Sequence, residues 1–173
     1  MELKEAIRKR RSIRAFKADK IEDKEILEIL ENAVLAPSAG NLQSWEFVVV
    51  KSDEQKEKLA RAALGQYFIA EAPLVLVVCA NQARSGARYG RRGYELYSIQ
   101  DTAACIQNIL LLATDKGLGT CWVGAFDENE VRKVLNSPKD VKPVAIIPIG
   151  IPAEKPTMPE RIQVKEILRY ERF

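Results

Sequence analysis

A chain of 173 residues, 47% apolar and 29% charged, is long enough for one well-filled core and too rich in apolar residues to be disordered. Its 27 basic and 24 acidic residues leave a net charge of +3 and are interleaved along the helical segments, which argues against a nucleic-acid-binding face. It contains no histidine, so Ser-His-Asp and Cys-His mechanisms and the commonest metal ligand are excluded, and the hard step of any reaction falls to a cofactor.

Residues 2–10 place Leu3, Ala6 and Ile7 at helical spacing and predict a first helix. At its end Arg10-Arg11-Ser12-Ile13-Arg14 crowds three guanidiniums and a hydroxyl, a set suited to phosphate and to flat, oxygen-edged groups. Alone, such a pentapeptide reads better as a solvated basic turn; its partners along the chain reverse that. A second helix is expected from Asp23 to Leu35, with Ile26, Leu27, Leu30, Ala33 and Val34 as its apolar stripe, stopped by Pro37. The polar turn Pro37-Ser38-Ala39-Gly40-Asn41 leads into a strand around Trp45 that continues through Phe47-Val48-Val49-Val50. Ser52-Asp53-Glu54-Gln55 has the form of a capping box and opens a third helix. Pro73 precedes a strand from Leu74 to Cys79.

Residues 81–93 carry four arginines and three glycines and read as a loop. A long helix is expected from Leu96 to Lys116, stopped at Gly117, and its stretch around Ala103–Leu112 is apolar nearly all round. Such a helix is central to a core or buried against another subunit. A short strand near Cys121–Val123, a helix opened by Asp127 and running to about Leu135, and a strand from Val144 to Ile149 complete the pattern. The tail after Gly150 is punctuated by Pro152, Pro156 and Pro159 and reads as extended, with a charged segment from Val164 to Phe173 suited to lie across a neighbouring surface. Neither repeat nor linker interrupts what reads as one α+β domain over 1–173.

Cys79, Cys105 and Cys121 are odd in number and sit in apolar runs, as free core thiols of a reducing compartment do. The charged N-terminus lacks a signal-peptide core, and the apolar run Ile109–Ala113 is too short to span a bilayer; a cytoplasmic protein without membrane contact is expected. Gly117-Leu118-Gly119 follows a helix rather than a strand, so it is a helix stop and not a dinucleotide fingerprint. Gly86–Gly93 lacks the ending of a P-loop. No acidic or cysteine cluster has metal-ligand spacing.

Five stretches, in order along nearly the whole chain, resemble the nitroreductase family of FMN-dependent oxidoreductases in its shorter form. They are Arg10–Phe16, Ala36–Trp45, Glu71-Ala72-Pro73 before a strand, Gln107-Asn108 through Gly117-Leu118-Gly119-Thr120-Cys121-Trp122-Val123-Gly124, and Ile149–Pro156 with Arg161. The resemblance implies a three-layer sandwich, a mostly antiparallel sheet flanked by helices. It also implies a homodimer with FMN at the interface and the tail 151–173 packed on the partner.

By the same resemblance Arg10 and Ser12, joined by Arg161, hold the FMN phosphate. Arg14 sits beside N1 and O2 of the flavin, where a cation stabilises the reduced ring. Arg11 adds backbone or edge contacts, and the turn Pro37, Ser38, Ala39 and Asn41 reaches the flavin from the other subunit. Gln66 contacts the pyrimidine edge, and the backbone of Trp122, Val123 and Gly124 faces N5. No side chain is expected to act as a catalytic acid or base. The implied reaction is ping-pong hydride transfer from NADH or NADPH through flavin N5 to an electron-poor acceptor such as a nitroaromatic or quinone. Two alternatives remain: the same fold with dehalogenating, flavin-fragmenting or flavin-holding chemistry, or a non-catalytic nucleotide-binding module. Residues 81–93 match no consensus of the family, and that segment often shapes its substrate side. Histidines that relatives often carry near Thr114–Asp115 and at Arg169 are absent.

Overall fold

The computed structural model describes all 173 residues. Four strands, β1 (Trp45–Val50), β2 (Leu74–Asn81), β3 (Gly119–Thr120) and β4 (Val141–Gly150), pair antiparallel in the order β1-β2-β4-β3. Eight α-helices join them: α1 (Leu3–Lys9), α2 (Asp23–Ala33), α3 (Asp53–Ala62), α4 (Phe68–Glu71), α5 (Gln82–Arg92), α6 (Ser98–Asp115), α7 (Glu128–Leu135) and α8 (Val164–Ile167).

The layering follows from β2, every residue of which but the last is buried. A strand alternates its side chains between two faces. Leu74, Leu76 and Val78 therefore join one core with Ile26 and Ile29 of α2 and Cys105, Ile106 and Ile109 of α6. Val75, Val77 and Cys79 join the other with Leu59 of α3, Ile69 of α4 and Val131 of α7. Helices thus cover both faces of an antiparallel sheet, which is the α+β sandwich the sequence implies. β4 keeps register with β2 from Ile149 back to Ala145, then shifts by one residue so that Cys79 faces Pro143. A bulge of this kind accommodates a proline that cannot donate to the ladder.

Several boundaries differ from the sequence reading. Residues 81–93 are not a loop: α5 fills most of them and passes through a π-helical turn, Gly93–Tyr97, into α6. The side chain of Asn81 caps α5 by accepting from the Arg84 N–H at 3.0 Å, Gln82 and Ser85 are buried beneath it, and Tyr94 donates to Asp140 at 2.9 Å. Tertiary anchoring outweighs the low propensity of the glycines, and only Gly90, at φ 55° and ψ −142°, leaves helical geometry. Ser52 accepts from the Gln55 N–H, but the reciprocal half of that capping box does not form; the complete box is Glu22 with Glu25 at the head of α2. The short strand falls on Gly119–Thr120 rather than Cys121–Val123, and Val123 makes only an isolated bridge to Ile146. After Gly150 the chain is extended apart from the single turn of α8, and every residue from Thr157 to Phe173 is exposed.

Cys79 and Cys105 are fully enclosed in the two opposite cores, and burial pushes both thiols up to about 12. A thiol ionises at about pH 8.5 in the unfolded chain, so above that pH the unfolded state releases protons that the folded state retains. Stability is therefore unaffected by these groups below about pH 8.5 and declines as pH rises toward 12. Urea midpoints measured from pH 8 to 11 should fall less steeply in a Cys79→Ala, Cys105→Ala variant than in the parent chain.

Candidate functional site

The basic segment at residues 10–14 leaves α1 because Arg10 turns to an extended conformation at its C-terminus. From there the chain is sewn into the edge of the sheet. Ser12 bridges Thr120 in parallel, and the Ile13 N–H donates to Thr120 O at 2.9 Å. Lys17 N–H donates to Ile151 O, and Ala153 N–H donates back to Ala15 O, each at 2.9 Å. This close approach needs glycine at 119, where a Cβ would lie within 2.8 Å of the Ile13 side chain. One carboxylate oxygen of Glu154 accepts from both the Arg14 and Ala15 N–H groups and fixes the direction in which Arg14 leaves the chain.

These pairings open a cleft of about 270 Å³ lined by Arg10, Arg11, Ser12 and Arg14, with Arg161 arriving from the tail beyond Pro156 and Pro159. The structure thus brings together Arg10, Ser12 and Arg161, which the sequence reading assigned to a phosphate, with Arg11 and Arg14, which it assigned to other parts of the same cofactor. None of the four arginines forms an ion pair with a carboxylate. Arg11 instead donates to Arg8 O and Arg10 O at 2.7 and 2.6 Å, closing the C-terminal end of α1. Burial, and then the charges of Arg11 and Arg161, hold the Arg10 guanidinium below its ordinary value. Like charges gathered without a counter-ion make a ready seat for a group carrying two negative charges, with the Ser12 hydroxyl as a further donor. Cys121, buried behind Ser12, has its thiol raised by burial despite the nearby Arg14, Ser12 and Arg10.

Arg14 itself is exposed, its guanidinium carbon 5.9 Å from the centroid of the Phe68 ring. Of the Trp122-Val123-Gly124 backbone, Val123 cannot be a donor to a ligand, because its N–H bonds Ile146 O at 2.9 Å and its carbonyl accepts from Ile146. Gly124 is exposed, and the space where a Cβ would stand is open. Gln66 lies outside the arginine cleft and ties the end of α3 to the segment that precedes α7. Its amide nitrogen donates to Ala63 O and Ala125 O, each at 2.9 Å, which leaves only its amide oxygen for a ligand.

The turn carrying Pro37, Ser38, Ala39 and Asn41 does not line the cleft of its own chain. It is held from below by Asp101, a buried carboxylate on α6 that no local sequence signal marks. One oxygen accepts from the Ala39 N–H at 2.9 Å and the other from the Ser44 hydroxyl at 2.7 Å. Gly40, Asn41 and Gln43 all have φ between 49° and 57°, a conformation costly for the two residues with side chains and retained where surrounding bonds impose it.

The family model described as "Nitroreductase family" matches this chain over residues 7–67 and 60–151. An NADH dehydrogenase of Thermus thermophilus is 31% identical over 97% of this chain and 95% of its own length. An FMN reductase (NAD(P)H) of Bacillus subtilis is 30% identical over 87% of this chain and 67% of its own. The crystal structure of a nitroreductase family protein from Clostridium novyi superposes with a TM-score of 0.80 at 34% identity, covering 91% of this chain and 89% of that one. The α+β sandwich is therefore shared with a solved structure over nine-tenths of the chain. The chain belongs to the nitroreductase family.

Replacing Asp101 by alanine should leave the buried Ser44 hydroxyl and the half-buried Ala39 N–H without an acceptor. The expected loss is about 2 to 4 kcal/mol of unfolding free energy, against a smaller loss for Asp101→Asn, which keeps an oxygen for Ala39. Denaturant melts at neutral pH read both variants.

Proposed function

We propose that this protein is an FMN-dependent NAD(P)H oxidoreductase. The observation that carries the proposal is the cleft of Arg10, Ser12 and Arg161, an unpaired cation cluster with a hydroxyl that fits a near-dianionic phosphate. Arg14, fixed through its own N–H by Glu154, would place a cation beside the pyrimidine edge of the ring. There it would stabilise negative charge gained on reduction. Gly124 would offer a small, open backbone donor on the ring side.

When bound, FMN supplies the hydride chemistry, taking a hydride from NADH or NADPH and passing it to an electron-poor acceptor such as a nitroaromatic or quinone. The protein's share is position and field, in keeping with a chain without histidine. The names of the Bacillus subtilis FMN reductase and the Thermus thermophilus NADH dehydrogenase support the same reading.

A homodimer is part of this proposal. The Pro37–Asn41 turn stands away from the cleft of its own chain, so its flavin contact belongs to a second copy. The tail leaves Ile162, Val164, Ile167 and Tyr170 65 to 82% exposed, apolar surface that a partner subunit would cover.

The test is the visible spectrum of the purified protein. Flavin bands that bleach under anaerobic NADH or NADPH and return with a quinone are expected. A protein that stays colourless after addition of FMN would overturn the reading, and a bound flavin that neither nucleotide reduces would leave the fold without this activity. Arg14→Ala should weaken FMN retention and slow flavin reduction together; unchanged turnover with bound flavin would remove Arg14 from the site.

A further inference from the structure

The segment that the sequence presents as an arginine-rich loop has a charge distribution that the proposed reaction does not use. Of its four arginines, Arg84 is paired with Glu46 and Arg91 with Glu95. Arg88 and Arg92 have no carboxylate partner. Each lies instead over one ring of a tyrosine pair. The Arg88 guanidinium is 5.5 Å from the Tyr89 centroid and that of Arg92 is 5.3 Å from the Tyr97 centroid. The two rings meet edge to face at 5.3 Å and 81°. Arg92 is further fixed by donating to the Tyr97 hydroxyl at 2.9 Å. Two cations without a carboxylate partner therefore flank an edge-to-face aromatic pair at the junction of α5 with the π-helical turn, a helix irregularity frequent at functional sites.

The position of this cluster connects it to the turn Pro37–Asn41. Arg88 Nη1 lies 3.4 Å from Gly40 O. A Cβ at residue 40 would stand 2.5 Å from the Tyr89 hydroxyl and 2.9 Å from Arg88 Nη1. Gly40, at φ +57°, thus serves both the turn and the seating of α5 upon it.

We propose that Arg88 and Arg92, with Tyr89 and Tyr97 as their platform, form a recognition site for the anionic group of a planar redox substrate. The inference rests on the oxidoreductase reading, which places the Pro37–Asn41 turn against the flavin and hence this cluster beside the substrate. The chemistry recognised is a phosphate, carboxylate or sulfonate attached to a flat ring. Guanidiniums bind such groups through charge-assisted forks, and a tyrosine face accepts the ring. That group comes either from the nicotinamide nucleotide or from the acceptor, and the two half-reactions separate these sources.

The experiment compares the parent protein with an Arg88→Gln, Arg92→Gln variant; Arg91→Gln, which loses a charge already paired with Glu95, is the control. Stopped-flow reduction by NADH and by NADPH gives the first half-reaction. Reoxidation by 4-nitrobenzoate against nitrobenzene, and by a naphthoquinone sulfonate against menadione, gives the second. Calorimetric titration with 2′-phospho-ADP-ribose and with 4-nitrobenzoate gives binding without turnover.

The double variant is expected to lose about tenfold or more in kcat/KM with the anionic member of a substrate pair, or with the nucleotides, while neutral acceptors are unaffected. A loss confined to reduction assigns the site to the nucleotide phosphates, and one confined to charged acceptors assigns it to the acceptor. Equal loss with charged and neutral acceptors and none in reduction, or no loss at all, overturns the proposal. If neither nucleotide reduces the parent protein, the oxidoreductase reading has failed and calorimetry decides the anion site alone. Binding abolished in the double variant but not in Arg91→Gln upholds it, and no binding to the parent chain overturns it.

Discussion

The site depends on one seam, the main-chain pairing that draws residues 12–17 between β3 and residues 151–153. Without it Arg10, Arg11 and Arg14 would be solvated side chains at the end of a short helix, each free to turn away from the others. With it, the guanidiniums share a cleft and repel one another, and the depressed Arg10 value is in part a consequence of that enforced proximity, after burial. Protein stability supplies this arrangement and a bound anion relieves it, so ligand affinity and local repulsion are two sides of one geometry. The small residue at 119 and the carboxylate of Glu154 belong to the same seam: one permits the approach of Ile13, the other fixes Arg14 through its backbone.

What the sequence made legible was local. The β-branched run of β2, the apolar length of α6 and the stop at Gly117 are patterns of neighbouring residues, and each forms where its pattern lies. The arginine–serine pentapeptide was legible for a similar reason, since its chemistry is carried by contiguous side chains. Glu154 and Asp101 were not. Their partners lie 140 and 62 residues away, and a carboxylate in a proline-rich tail or on a helix face has no local mark of such a role. The same limit explains α5. Its glycines and arginines weigh against a helix, whereas it is anchored by Asn81 on Glu46 and by the Gln82 N–H and Tyr94 hydroxyl on Asp140, all distant in sequence. Nor could residue type reveal that the Val123 N–H is taken up by Ile146.

The turn Pro37–Asn41 seats α5 through Gly40 and Arg88. Gly40 and Asn41 within it, and Gln43 just beyond, have positive φ. They are held by Asp101 and by Ser38, whose hydroxyl accepts from the Gln43 N–H at 3.0 Å. A turn so constrained has little freedom to adapt to a ligand, and its polar groups are set before anything binds. Preorganisation of this sort suits a protein that contributes orientation rather than acid–base chemistry, because the reactive atoms of a bound cofactor must be presented at fixed distance and angle.

The arginine cleft and the proposed anion site on α5 then differ in how they are built. The arginine cleft rests on sheet pairing and a glycine whose replacement would meet Ile13, so its geometry tolerates little change. Arg88 and Arg92 stand instead on an exposed face of α5, where exchange of a side chain leaves the bonds of Asn81 and Tyr94 intact. A fold of this construction can keep its anion-binding end constant while the other end varies in charge and shape. On the proposed reading, substrate preference is a property of the helix over the turn, and the chemistry a property of what the sheet edge would hold.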